Sequence, residues 1–268
     1  MNYDFMVRCS RTPVVQRCVQ GGSLLLVALL SACGGSDNGC GFDPYGNPLP
    51  CYAGAAVGPA PVPVPVASAS TFLIYQALVN SALQVQNYNI AGSDQFGNTY
   101  ALNLMSQPGP ATSFNGLPAI SANITQTLYQ NGVLVSSQQF TNFYTTTGAQ
   151  LIGSAGTAVG SFEAVTSAAP VPVSGIVGQS FPSLTANLFR DAGQTVLDGT
   201  LAETLSLAPD TVSTALLCTN DTVQLTATGI ADGLGASQST TCLRISPSGD
   251  LLGLTMSFVN NGVLLNLQ

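Results

Sequence analysis

The chain has no histidine, no lysine and no tryptophan among its 268 residues. Without His or Lys there is no Ser-His-Asp triad, no Cys-His or Ser-Lys dyad and no lysine Schiff base. Charge of either sign is scarce, at 6% of residues, so solubility must rest on Ser, Thr, Asn and Gln. The cations are Arg8, Arg11, Arg17, Arg190 and Arg244, set against twelve acids for a net charge of −7. So few cations cannot neutralise a row of phosphates, which excludes nucleic acid as a partner. There is no Gly-rich phosphate loop, no dinucleotide fingerprint and no Asp-Thr-Gly or Asp-Ser-Gly protease signature. The chain reads as a non-enzyme, with no catalytic residue and no cofactor.

What is present begins at the N-terminus. Three of the five arginines precede residues 24–30, Leu-Leu-Leu-Val-Ala-Leu-Leu. That apolar run is far shorter than the ~20 residues a transmembrane helix needs. A positive start, a short apolar core and a small-residue end make a signal peptide. The end, Leu30-Ser31-Ala32-Cys33, resembles the lipobox of bacterial lipoproteins. The resemblance covers only this first segment. It implies cleavage before Cys33, a lipid on the Cys33 sulfur and an acylated new amine. Two or more acyl chains make a stable membrane anchor, whereas one binds marginally. Residue 34 is Gly rather than Asp, and Asp there tends to hold proteobacterial lipoproteins at the inner membrane. The resemblance therefore implies a lipid-anchored protein of a Gram-negative outer membrane, periplasmic or surface-facing, with the membrane as its partner through Cys33. The whole pattern is similar to β-rich lipoproteins of such bacteria.

Cleavage there discards Cys9 and Cys18 and leaves Arg190 and Arg244 against eleven acids. Four cysteines remain beside Cys33, and an even set in an oxidising compartment reads as two disulfides. Of the three pairings, Cys40–Cys51 with Cys218–Cys242 is expected, because each pair is close in sequence and the two pairs are far apart. Each bridge would contribute ~3 kcal/mol in the chain-entropy model. A metal site lacks both His and Cys-x-x-Cys spacing.

Three segments follow from composition. Residues 1–32 are the signal. Residues 33–69 hold the lipidated Cys, a stapled Gly/Asn/Pro knob and a stalk with alternating Pro at 59–65, favouring extended polyproline II. Residues 70–268 form the folded domain. Its fold class is all-β, an antiparallel sandwich or barrel-like meander, with one short helix around 70–84 capped by Ser70 or Thr71. Strands are expected at 88–93, 99–104, 120–130, 133–135, 140–144, 184–189, 201–207, 211–218, 223–227, 241–245, 255–259 and 263–267. Asn131-Gly132 and Asn261-Gly262 are strong hairpin turns. A Pro-rich break at 168–173, with similar Phe/Pro-led strands at 120–124 and 184–189, suggests an internal duplication with halves 70–167 and 176–268. Cys218–Cys242 would staple the base of a long polar loop, residues 219–241. That loop is the natural surface for a protein or glycan partner.

Candidate chemistry is thin. Asp191, Asp198, Glu203 and Asp210 are the densest acids, and paired carboxylates can hydrolyse glycosidic bonds. Three of them adjoin turn residues, where Asp caps backbone N–H groups. Asp94-Gln95-Phe96-Gly97-Asn98 and Asp43-Pro44-Tyr45-Gly46-Asn47 share an Asp-x-x-Gly-Asn form that would suit calcium, but hairpin turns explain both. The expected function is that of a non-catalytic structural or protein/glycan-binding envelope protein. The alternatives are a β-barrel carrier of lipid or small hydrophobes and, third, a carboxylate-dependent hydrolase.

Overall fold

Alternating apolar and polar residues run through most of the C-terminal two-thirds of the chain. The computed structural model, which describes residues 70–156, 162–235, 237–260 and 263–268, turns this alternation into twelve strands. They are β1 (Gln86–Asp94), β2 (Thr99–Phe114), β3 (Leu117–Gln130), β4 (Val133–Tyr144), β5 (Leu151–Gly156), β6 (Phe162–Ala168), β7 (Ser180–Phe189), β8 (Leu197–Pro209), β9 (Ala215–Leu225), β10 (Ser237–Ile245), β11 (Leu251–Asn260) and β12 (Val263–Leu267). Each pairs antiparallel with its neighbours in sequence, and β12 returns to β1 through Gly92–Leu267, Ser93–Asn266 and Asp94–Leu265. The result is a closed up-and-down barrel, so of the two architectures left open by the sequence the barrel is the one formed.

The alternation sorts the two faces. On β2, Tyr100, Leu102 and Leu104 are buried while Thr99, Ala101, Asn103 and Met105 are exposed. The inward residues join Ile90, Leu128, Leu217, Leu243, Leu254, Met256, Leu265 and Leu267 in one core. The outer wall carries Thr, Asn, Ser and Gln that bond to one another, as Thr141–Asn123 at 3.0 Å, Thr166–Thr185 at 3.1 Å and Thr240–Asn220 at 3.1 Å. This partition is the reverse of a membrane-spanning barrel, whose apolar side chains face outward.

Both ends are closed. The N-terminal helix α1 (Ile74–Leu83) lies across one end. Its buried face, Ile74, Ala77 and Asn80, meets the β10–β11 turn, where Asn80 Nδ2 donates to the Gly249 carbonyl at 2.9 Å. The helix starts later than expected, with Leu73 at its N-cap and no side-chain cap. Ser70 and Thr71 do not cap it, because Phe72 is drawn into an extended bridge with Gly175 (2.8 and 3.0 Å). At the other end a short helix, α2 (Ala227–Ala231), is capped by Thr226, and Leu234 beyond it packs on Leu188, Leu201 and Val223.

Several sequence expectations change. Cys218 and Cys242 are bonded, but as cross-strand partners on the outer face of β9 and β10. Residues 219–241 are therefore not a long loop: β9 continues to Leu225, α2 follows, and β10 begins at Ser237. Residues 211–214 form a turn, not a strand. The 168–173 break falls between β6 and β7, with six strands on either side closing one sheet. The similar Phe/Pro-led strands are β3 and β7, four strands apart, whereas a repeat of six-strand halves would place them six apart. Cys33, Cys40, Cys51, the Asp43–Asn47 cluster and Asn261-Gly262 lie outside the described residues.

The β2–β3 hairpin outruns the wall. β3 joins β4 only from Ile120 onward, and a bulge between Pro108 and Ala111 bends the free end. Its tip, Asn115-Gly116, has φ of 50° and 78°, matching Asn131-Gly132. These are the positive-φ pairs a type I′ turn requires. The tip folds over the outside of β4–β6. There Phe114 stacks on Phe143 (centroids 4.6 Å apart) and Phe162 (5.3 Å), with Ala119, Ile152 and Phe189 around it. Gly153 lies beneath the ring; a Cβ there would sit 2.3 Å from it. Gln194 Nε2 holds the tip by donating to Asn115 Oδ1 at 2.9 Å.

Candidate functional site

Strand alternation also decides which acids go inside. Glu203 shares a face with Leu201 and Leu205 on β8, and Asp221 with Leu217 and Val223 on β9. The two are cross-strand partners, and Asp221 pairs onward with Ser239. On the strands beyond β7, Asn142, Ser154 and Glu163 are successive partners across β4, β5 and β6. Two polar rows therefore line the barrel interior. Glu163 is 0%, Asp221 3% and Glu203 8% exposed. Each carboxyl takes a hydroxyl from a neighbouring strand. Ser154 donates to Glu163 and Ser239 to Asp221, both at 3.4 Å, and Ser183 donates to Glu203. Asp221 Oδ1 and both polar atoms of inward-facing Gln126 have no partner among the described residues.

The two described arginines pair with other acids. Arg244 lies half-exposed and grips Asp210 through two bonds, at 2.7 and 3.0 Å. Arg190 pairs with Asp232 and lies 3.9 Å from Asp198. Desolvation is the largest influence on the interior carboxyls. Burial, then repulsion from Glu203, lifts Glu163 to about 8 despite the Ser154 bond. Burial lifts Glu203 to about 7 against the pull of Ser183. Asp221 is raised by burial and by the other two acids. Burial pushes the Tyr144 hydroxyl to about 12, and both glutamates add to the shift while its bond from Asn142 opposes it. Burial thus favours the protonated form of all three carboxyls.

One side of the cluster opens into a cavity of about 100 Å³ between α1 and the β6–β7 loop. Glu203, Asn142, Tyr144, Thr219 and Thr241 supply its polar wall, and Leu78, Leu151, Leu184, Leu205 and Leu243 its apolar one. Small-molecule sites are usually larger, roughly 300–1,000 Å³. No group of three acids or cysteines among the described residues is arranged to hold a metal ion.

The four acids singled out by density do not converge. Asp191 caps a loop by accepting from Gly193 N at 2.8 Å, and Asp210 holds the β8–β9 turn. Asp198 is not a turn residue: it lies within β8, wholly buried beneath α2, with its carbonyl accepting from Thr226 N at 2.9 Å. Only Glu203 reaches the interior. Its true companions, Glu163 and Asp221, escaped notice because they are isolated in sequence. The available signal was parity, since an acid two residues from Leu or Val on an alternating strand must share their buried face. In the β1–β2 turn, Asp94 accepts from Phe96 N (2.8 Å), Asn98 N (2.9 Å), Asn98 Nδ2 (2.8 Å) and the Tyr100 hydroxyl (3.0 Å). Protein donors thus occupy the oxygens a calcium ion would need. Burial opposes ionisation of Asp94, but these bonds outweigh it and hold its carboxyl below the usual range.

Comparison with protein-family models, curated proteins and solved structures returns no match to this chain.

Proposed function

We propose that this is an exported, lipid-anchored envelope protein whose barrel is a non-catalytic structural or binding module, presenting its outer wall to a protein or glycan partner. The observation that carries this reading is the partition of the barrel. A packed interior leaves a cavity of about 100 Å³, while the outer wall is an uncharged array of hydroxyls and amides. Across β6–β9 a groove of about 290 Å³ is bordered by Thr166, Thr185, Asn187, Thr200, Thr222 and Gln224. Such groups donate and accept hydrogen bonds without a net field, which suits polar uncharged ligands. The Cys218–Cys242 bridge on that wall agrees with an oxidising compartment, and the lipobox-like Leu30-Ser31-Ala32-Cys33 supplies the anchor.

A lipid carrier is less well supported, because an acyl chain needs several times the room the interior offers. Carboxylate-dependent hydrolysis has weaker support still. It needs an ionised partner beside a protonated acid, with space for a sugar ring between them. Here every interior carboxyl is driven toward the protonated form. Native mass spectrometry of the detergent-released protein tests the assignment. The expected mass is that of a chain starting at Cys33, with its acyl groups and nothing else. A co-purifying lipid would overturn it in favour of the carrier. Cys33→Ser should abolish acyl labelling and release the protein from the membrane fraction; unchanged labelling would rule out the anchor.

A further inference from the structure

Charge is unevenly spread around this barrel. Among the described residues every charged side chain except Asp94 lies between Glu163 and Asp250, on β6–β10 and their turns. Asp94 itself is buried and held by the donors of its own turn. The wall made by β11, β12 and β1–β5 is therefore free of exposed charge. On that half, at the end away from α1, an apolar band follows the rim. Val259 and Leu264 are cross-strand partners, each 41% exposed. Leu264 N donates to Gln95 Oε1 at 3.3 Å, which sets it beside the β1–β2 turn and Phe96, 70% exposed. Asn131 Nδ2 donates to Asn98 Oδ1 at 3.2 Å and joins that turn to the β3–β4 hairpin, where Val133 and Leu134 are 66% and 54% exposed. These bonds tie neighbouring turns together, so the band is preformed.

Charge also says what covers the band. The chain carries a net charge of −7, so two copies repel each other except where both faces are uncharged. A basic partner would gain from the acids of the other half and nothing from this one. We infer that the band is the contact between two copies of this chain, rim against rim about a twofold axis, with Phe96, Leu134 and Leu264 at its centre. Because the same patch serves both copies, association stops at a pair. A band this narrow buries less than the ~1,200 Å² of a tight complex, so the pair is half-formed at ~10–100 μM. The contact lies away from the groove across β6–β9, and it holds whether or not Cys33 carries lipid.

The test is sedimentation equilibrium of the whole protein from ~1 to ~300 μM, with detergent micelles in molar excess over chains if the protein needs detergent. The mass should climb from one chain to two and stop there. Raising NaCl should leave the pair intact or tighten it, because salt screens the net repulsion. Leu134→Glu should keep the protein monomeric throughout, with its Tm within ~2 °C of wild type. Val212→Glu, at a site 66% exposed on the charged half, should pair as wild type does. A monomer at every concentration, growth past two chains, or loosening by salt would each overturn the inference. So would equal pairing, or equal loss of it, in the two variants. A measurement free of variants stands beside these: between ~20 and ~500 μM the methyl signals of Val133, Leu134 and Leu264 in the wild-type protein should shift while those of Val212 stay fixed. Band signals that do not move would equally overturn it.

Discussion

Two arcs of this barrel divide polar and apolar side chains differently. Along β11, β12, β1 and β2 the inward residues are Leu254, Met256, Leu265, Leu267, Ile90, Leu102 and Leu104, and the outward ones mix Thr99, Asn103 and Asn266 with Ala101, Met105, Val259 and Leu264. Along β4–β6 the inward row is Asn142, Ser154 and Glu163, while Phe143 and Phe162 face outward. The second arc is tolerable only because the β2–β3 hairpin covers the outer aromatics with Phe114 and serine hydroxyls meet the inner acids. Closing a sheet does not by itself fix which face becomes the core. On the inverted arc a separate segment of chain supplies the missing cover.

Substitutions that reverse one arc and spare the other should separate the two solutions. The largest effect is expected from Gly153→Val. Its Cβ would fall 2.3 Å from the Phe114 ring and 2.5 Å from the Glu163 carbonyl oxygen, neither of which can move without lifting the hairpin or the wall. A loss of ~3–5 kcal/mol in urea unfolding is expected; a wild-type midpoint would mean the hairpin does not seal this face. On the ordinary arc Leu104→Ala should lose ~2–5 kcal/mol by leaving a cavity. Its outward neighbour Asn103→Ala should stay within ~0.5 kcal/mol. Equal losses at the two positions would contradict the assigned faces.

Glu163→Gln should act in the other direction. The folded-state value of Glu163 lies near 8, above the ordinary ~4.3 of an unfolded glutamate. The folded protein then binds the extra proton, and stability falls as pH rises from the lower value to the higher. Gln keeps the shape without the charge, so its gain should be negligible below about pH 4 and reach a few kcal/mol near pH 9. Asp94 has the opposite slope. Its lowered value makes its contribution full above the unfolded carboxylate range and lost as pH falls. The wild-type stability curve should therefore peak in mildly acidic buffer, and a plateau extending to pH ~9 would show that the interior acids do not titrate as a buried group. Asp94→Ala should cost a smaller ~1–2 kcal/mol near neutral pH, from the acceptor lost to the β1–β2 turn.

Much of the fold outside the inverted arc was readable from sequence. Strict alternation marked β1, β2, β8 and β12, Asn131-Gly132 marked a hairpin, and spacing paired Cys218 with Cys242. The inverted arc was not. Leu151–Gly156 carries two glycines and no alternation, so β5 escaped notice, and β6 was missed beside it. Asn115-Gly116 had the same dipeptide signal as the recognised hairpins, but the polar and proline-rich residues before it concealed a strand. Barrel closure rests on β1 meeting β12, a pairing between the two ends of the folded region that no local pattern encodes. The carboxyl cluster was equally hidden, because Glu163, Glu203 and Asp221 lie on separate strands, β6, β8 and β9, and no local pattern groups them.

The nearest-neighbour strand order also bears on how the chain acquires its shape. Each hairpin can form from adjacent sequence, so eleven of the twelve seams need no distant partner and can zip from the N-terminus onward. The last seam must wait for Val263–Leu267. Until those residues arrive, β1 and β11 are open sheet edges, the kind that recruit strands from other molecules. The five residues of β12 thus serve as a latch whose timing separates a closed barrel from an aggregating sheet.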